Sequence, residues 1–208
     1  SNALDLMKYA QVYIEQGTYK GRTIVSAQAL SQMRLHVYKV ARNSYYGFAL
    51  KSTPDYFGVT LVEHSGGQPG VSSNFGFVPE ENLAAAVLTN VSDVRAGDIW
   101  LGAINAVLGT TLDTKRSYEP RYYLSQERMK DFVGIYKTNE GGKLIVFEGE
   151  GCLKIEVADK EYVLSPSSES TLVYEVEGSQ QVIKFLFDKT NKPWAAFSGL
   201  RVLRRTSD

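Results

Sequence analysis

Between Leu61 and Val78 the chain sets an imidazole, a hydroxyl and a pair of glycines side by side, in the order Leu61-Val62-Glu63-His64-Ser65-Gly66-Gly67-Gln68-Pro69-Gly70-Val71-Ser72-Ser73-Asn74-Phe75-Gly76-Phe77-Val78. The alternation before His64 predicts a strand and Pro69-Gly70 a turn; a returning strand follows, with Phe75 and Phe77 on one face. A Gly-Gly pair near the end of a strand lets another molecule's backbone come close, because no Cβ intervenes. His64 adds a titratable ring and Ser65 a hydroxyl beside that edge, so the hairpin is where chemistry would sit. Glu63 adjoins His64, but alternation sends its side chain to the opposite strand face. The same residues also fit a plain hairpin whose glycines serve a turn.

Such a strand needs a scaffold. Leu6, Tyr9, Ala10, Tyr13 and Ile14 recur at helical spacing over residues 4–16, with Gly17 as the stop. Gly17 to Gly21 turns the chain, and Ser26 is the N-cap of a helix through Ala29, Leu30 and Met33. Residues 46–51 read as a strand with Pro54-Asp55 in the turn after it. Residues 83–89, almost wholly apolar, read as a buried strand that needs cover on both faces. Residues 94–108, with Ile99, Trp100, Ala103, Ile104, Val107 and Leu108, are amphipathic enough to supply one covering layer.

Residues 109–127 lose this periodicity, gain turn and charged residues, and read as a linker. Beyond them come short alternating runs over 133–137, 143–148, 153–157, 161–164, 172–176, 182–187, 194–197 and 201–203. Strands at this spacing predict a meander closed into a small barrel, which removes exposed sheet edges. Phe147, Tyr162, Tyr174, Phe185, Phe187, Trp194 and Phe197 supply the volume to fill it. A filled barrel acting as a lid or docking domain is expected, with a ligand cavity as the alternative.

His64-Ser65-Gly66-Gly67, then Pro69-Gly70 and Phe75-Gly76-Phe77-Val78-Pro79, resembles the third motif of the serine β-lactamase and penicillin-binding-protein superfamily, in the His-x-Gly spelling of its class C-like and esterase-like branches rather than Lys-Thr-Gly. The resemblance implies an α+β fold: residues 4–108 as the C-terminal part of a β-lactamase-like domain, an antiparallel sheet with packed helices. Residues 128–208 resemble the lipocalin-like β-domain appended to some members, chiefly through Phe132-Val133-Gly134-Ile135-Tyr136. Carried over residue by residue, the Gly67 N–H is an oxyanion-hole donor, Ser65 and Gly66 face the substrate, and His64 stands in for the family lysine. An imidazole charges only near pH 6.5, about its ordinary value; that weakens carboxylate recognition and favours esterase or peptidase activity over β-lactam chemistry. The resemblance further implies a bacterial, extracytoplasmic or cell-envelope parent acting on a small-molecule or peptide substrate.

The family nucleophile sits in Ser-x-x-Lys, and no serine here has a lysine three residues on. Ser72-Ser73-Asn74 fits the letters of the second motif but follows the third instead of preceding it. A Ser/His/acid triad has only His36 and His64 to draw on and no Gly-x-Ser-x-Gly elbow. His36, among Arg34, Lys39 and Arg42, reads as a solvated surface residue. Neither histidine has a ligand-like neighbour at helical spacing, so no metal and no cofactor is expected. The reading favoured is a hydrolase fragment, inactive alone, whose parent performs acyl transfer through a serine ester. The alternatives are a binding module built on the barrel and a structural protein whose hairpin edge recruits a strand. Loss of upstream strands would also leave a sheet edge open to self-association.

Composition limits the partners. With 208 residues the chain can bury a core in one large or two small domains. Lys and Arg equal Asp and Glu at 23 each, so nothing steers it to nucleic acid or an anionic membrane. Cys152 is the single cysteine, which excludes an intrachain disulfide. No apolar run reaches the about 18 residues of a transmembrane helix. Ser1-Asn2-Ala3 reads as an expression scar.

Overall fold

In the computed structural model, which describes residues 1–92 and 94–206, the chain forms two compact units, Ser1–Ser117 and the residues from Tyr118 onward. The first unit begins with α1 (Ala3–Ile14), whose N-cap Asn2 accepts from the Asp5 N–H at 3.0 Å. A short hairpin, β1 (Thr18–Tyr19) and β2 (Arg22–Thr23), leads to α2 (Ala27–Met33), where the Ser26 hydroxyl caps the Ala29 N–H at 3.1 Å. Then come β3 (Tyr38–Ala41), β4 (Ser44–Tyr46), β5 (Lys51–Tyr56), β6 (Val59–Gln68), β7 (Val71–Val78) and β8 (Leu83–Thr89), followed by α3 (Ala96–Leu108). The strands make one six-stranded antiparallel sheet in sequence order, β3 to β8.

Each face of this sheet buries a different cluster. Leu61 and Val78, with Tyr56 and Val59, pack against Trp100, Leu101 and Ile104 of α3. On the other face Val62 and Phe77 pack with Leu50, Tyr13 of α1 and Leu30 of α2. Phe75 joins Phe77 there, as the two-residue period requires. Gly76 is fixed by close approach, since a Cβ there would lie 2.6 Å from the Trp100 ring and 2.5 Å from the Val62 carbonyl.

Three sequence expectations change here. Residues 46–51 are not a strand: Ala49 has a positive φ and the Gly47 N–H donates to the Leu50 carbonyl at 2.8 Å, so the chain turns between β4 and β5. Pro54-Asp55 is not a turn after a strand but lies within β5, where a register shift between Thr53 and Tyr56 accommodates a ring that cannot donate to the ladder. Leu83–Thr89 is a strand, as expected, but it closes one edge of the sheet and its side chains are half-buried rather than enclosed. Its run of apolar residues reflects the helices covering both faces, not a central position.

The second unit opens with α4 (Gln126–Lys130), capped by Ser125. It continues through β9 (Gly134–Lys137), β10 (Lys143–Glu148), β11 (Leu153–Val157), β12 (Lys160–Pro166), β13 (Thr171–Val176), β14 (Ser179–Phe187), β15 (Pro193–Ser198) and β16 (Arg201–Thr206). These form a closed antiparallel barrel, an up-and-down meander sealed by pairing of β16 with β9. All eight runs read from the sequence are strands of it. Its interior is packed with Phe132, Tyr136, Ile155, Leu172, Ile183 and Phe185. The Tyr136 hydroxyl donates to the Phe132 carbonyl at 2.9 Å, and burial pushes its phenol up to about 12. Met129 of α4 and Leu124 pack against the same core, so the chain entering the barrel helps fill it.

Candidate functional site

β6 outlasts its neighbour. On the β5 side its pairing ends at Lys51 opposite Glu63, whereas on the β7 side it runs on through His64–Phe75, Ser65–Asn74, Gly66–Ser73 and Gly67–Ser72 to the Pro69-Gly70 turn. In an antiparallel strand the N–H and C=O of one residue point the same way, and the direction alternates. The Thr89 hydroxyl donates to the Ser72 carbonyl and accepts from the Ser72 N–H, at 3.0 and 3.2 Å, so Ser72 faces β8. Gly67, opposite it, therefore faces away from β7. The Thr60 N–H, of the other parity, reaches Glu80 just beyond β7, which agrees. Ser65 and Gly67 thus turn their N–H and C=O groups toward the side that β5 has left open. No backbone hydrogen bond engages those groups among the described residues. His64, Ser65, Gly66 and Gly67 are all exposed.

His64 lies on the sheet face shared with Phe75, and its Nε2 is 3.0 Å from the Tyr46 hydroxyl of β4. The Ser65 side chain falls on the opposite face, and Gly66 packs its Cα against the Ser73 hydroxyl, which donates to the Gly66 carbonyl at 3.3 Å. The arrangement is a stretch of free backbone donors flanked by an imidazole and a hydroxyl. It can bind a carbonyl oxygen or an extended backbone, and among the described residues no activated nucleophile accompanies it. His36 is exposed, and its ring stacks on that of Tyr45 with centroids 4.1 Å apart.

Beneath the open edge sits a buried carboxylate. Glu63, 2% exposed, accepts from Arg116 Nε at 2.5 Å and from a second Arg116 nitrogen at 2.7 Å, from Asn74 Nδ2 at 3.0 Å, and pairs with Lys51 Nζ at 3.0 Å. Burial alone would raise its pKa, but the Lys51 and Arg116 charges and hydrogen bonds outweigh that and hold it at about 2. Arg116 also donates to the Gly97 carbonyl at 3.0 Å, at the start of α3. One carboxylate thereby ties β5, β6, β7 and the chain beyond α3 together, two residues before Ser65. The Asn74 amide is committed to this network, so Ser72-Ser73-Asn74 are strand residues here.

Sequence reasoning left Tyr46 and the Glu63 network unassigned. Tyr46 has no motif to mark it, because its link to His64 exists only once β4 lies beside β5 and β6. Arg116 fell in the supposed linker, yet residues 109–117 are held to the first unit, with Asn105 Nδ2 donating to the Leu112 and Thr114 carbonyls at 3.2 and 3.0 Å. A glutamate at an inward position of an otherwise apolar strand was the available signal. Among the described residues no group of three or more His, Cys, Asp or Glu side chains gathers as a metal site, and no helix is long and apolar enough to cross a membrane.

Neither a protein-family model nor a curated protein matches the sequence. The fold itself has counterparts. The chain aligns over 99% of its length with the crystal structure of SurE, at 20% identity and a TM-score of 0.70, and with that of SurE with D-Leu at the same values. The octameric penicillin-binding protein homologue from Pyrococcus abyssi aligns over 96% of the chain at 23% identity, with a TM-score of 0.49. These alignments cover 48%, 50% and 46% of the respective structures, so the chain spans about half the length of the proteins it matches. The likeness to SurE establishes a shared fold.

Proposed function

We propose that this chain is the C-terminal part of a serine hydrolase related to β-lactamases and penicillin-binding proteins, and that it supplies one wall of an acyl-transfer site. The observation that carries the reading is the direction of the Gly67 N–H, which points from the end of a paired strand into the gap left by β5, beside His64. In the parent, a serine borne outside these residues attacks an amide, lactam or ester carbonyl. The Gly67 N–H stabilises the oxyanion until it collapses with cleavage of the C–N or C–O bond to the amine or alcohol, and water or an amine then releases the acyl group from the serine ester. Ser65 and Gly66 border the substrate, and His64 orients it from the opposite strand face. Residues 4–108 belong to the catalytic domain in this reading, and the barrel from residue 128 is accessory.

The packed barrel interior supports an accessory role over a binding module. A recess of about 170 Å³ lies beside Met129, Cys152 and Leu153. The crystal structure of SurE with D-Leu, which shares this fold, argues for including D-amino-acid substrates in any trial. The test compares this chain with its full-length parent on a chromogenic β-lactam, a short nitrophenyl ester and a peptide ending in D-amino acids. Turnover by the parent alone is expected. An inactive parent that contains Ser-x-x-Lys would refute the assignment.

A further inference from the structure

On β9, β10 and β16 of the barrel, Tyr136, Leu144, Val146 and Leu203 fill the interior. The two-residue period therefore turns Lys137, Lys143 and Arg204 to the outer face, where all three are exposed. Lys137 lies directly opposite Lys143 on one side and directly opposite Arg204 on the other. Like charges set opposite each other across a ladder destabilise it. Among the described residues no ion pair engages any of the three. By contrast, the opposed Glu156 and Glu161 on β11 and β12 are relieved by Lys154, 3.1 Å from Glu161.

Carboxylates are missing from this outer face. Glu148, the one acidic residue on the three strands, has the parity of Leu144 and Val146 and pairs with Lys130 of α4 at 3.7 Å. Arg201 is already matched by Glu140 of the β9–β10 turn at 2.9 Å, and Arg205 donates to the Val133 and Pro193 carbonyls. Apolar side chains flank the row instead. Ile135, Ile145 and Phe147 share its outward parity and are half-buried. Val202, two residues from Arg204, is 46% exposed, and Leu200 in the β15–β16 turn is 41% exposed. Because the barrel closes on itself, this face is no open sheet edge; its own ladder fixes it.

We propose that the outer face of β9, β10 and β16 docks on an anionic phospholipid bilayer, with Lys137, Lys143 and Arg204 at the phosphates and Val202 and Leu200 in the headgroup layer. Such a surface relieves the repulsion within the row and also receives the apolar side chains beside it. A nucleic acid or an acidic peptide would match the charges alone. The 23 positive and 23 negative residues of the chain cancel at long range, but at physiological salt charges act over only about 8 Å, so the local row decides once the face is in contact. Peripheral attachment of this kind needs no membrane-crossing helix, and it is independent of the acyl-transfer reading.

The experiment is co-sedimentation of the 208-residue chain with phosphatidylglycerol vesicles and with phosphatidylcholine vesicles, at low and high salt. One variant combines Lys137→Gln, Lys143→Gln and Arg204→Gln. A control combines Lys160→Gln, Lys189→Gln and Lys192→Gln, which remove the same charge elsewhere on the barrel, and Val202→Ser tests the apolar contact. The wild type should bind the phosphatidylglycerol vesicles, more weakly as salt rises, and not the phosphatidylcholine vesicles. Removing the row should weaken partition about a hundredfold, or about fivefold per charge, and the control by about twofold at most. Val202→Ser should weaken binding and leave its salt dependence unchanged. Since the row repels itself, its removal should leave the urea midpoint of the second unit unchanged or higher; a lower midpoint would show that the three cations make stabilising contacts and would overturn the proposal. So would a wild type that ignores phosphatidylglycerol vesicles, a control as impaired as the row variant, wild-type binding by Val202→Ser, or tighter binding to duplex DNA or polyglutamate than to the vesicles.

Discussion

Replacing Glu63 by glutamine keeps the shape of the side chain and removes its charge, leaving Lys51 and Arg116 facing an uncharged amide in a buried setting. The carboxyl is held at about 2 against an ordinary value of 4.5. At about 1.4 kcal/mol per pH unit this difference corresponds to about 3 kcal/mol of stability at neutral pH. The figure agrees with the roughly 3–5 kcal/mol lost when one partner of a buried pair is removed. Because the folded-state carboxyl is the more acidic, the contribution is complete above pH 4.5 and is lost as the pH falls through about 2. Urea unfolding followed by Trp100 fluorescence, in a Trp194→Phe background so that only the first unit reports, measures it. Arg116 lies 5.9 Å from the Trp100 ring, so the signal originates beside the network. The wild type should lose about 3 kcal/mol between pH 5 and pH 2 through this group, and Glu63→Gln should be weaker at pH 7 and lack that component. A variant within about 0.5 kcal/mol of wild type at pH 7, or one with the wild-type acid slope, refutes the reasoning.

Other substitutions separate packing from site. Gly76→Ala drives a methyl into Trp100 and the Val62 carbonyl and should cost about 1–3 kcal/mol in urea unfolding of the first unit. Phe132→Ala empties the barrel core beside Phe185 and should cost the second unit about 3–5 kcal/mol, read by Trp194 fluorescence. Tyr46→Phe removes the partner of His64 Nε2 at an exposed position; the His64 ring signals in NMR should shift while stability changes by less than about 0.5 kcal/mol.

The barrel was the most legible part of the chain. Most of its strands alternate, its turns carry Gly, Asn, Asp and Ser, and neighbouring strands are neighbours in sequence, so local pattern and topology coincide. The hairpin around His64 was legible for the same reason. Residues 46–56 were not, because Tyr46 to Leu50 alternates like a strand while Ala49 adopts a positive φ that no propensity flags. Pro54 marked a turn in sequence, yet the sheet absorbed it at an irregular register. The place of β8 in the sheet was hidden because an apolar run records burial by helices on its faces and says nothing of its edge. At the candidate site, residue types alone marked the glycines and the imidazole for attention. The register between β5 and β6, which decides where the Gly67 N–H points, is a long-range property that no short motif contains.

The orientation of the Gly67 N–H is the claim on which the functional reading rests. Steady-state kinetics of the full-length parent and its Gly67→Pro variant, on whichever acyl substrate the parent turns over, test it directly. Proline removes the donor, and because that N–H faces away from β7 no ladder bond is lost with it. Loss of one oxyanion donor predicts a fall in kcat of about 10²–10³ with the fold intact. An unchanged kcat in a folded Gly67→Pro parent, or turnover by the 208-residue chain alone that disappears in His64→Ala, would contradict it.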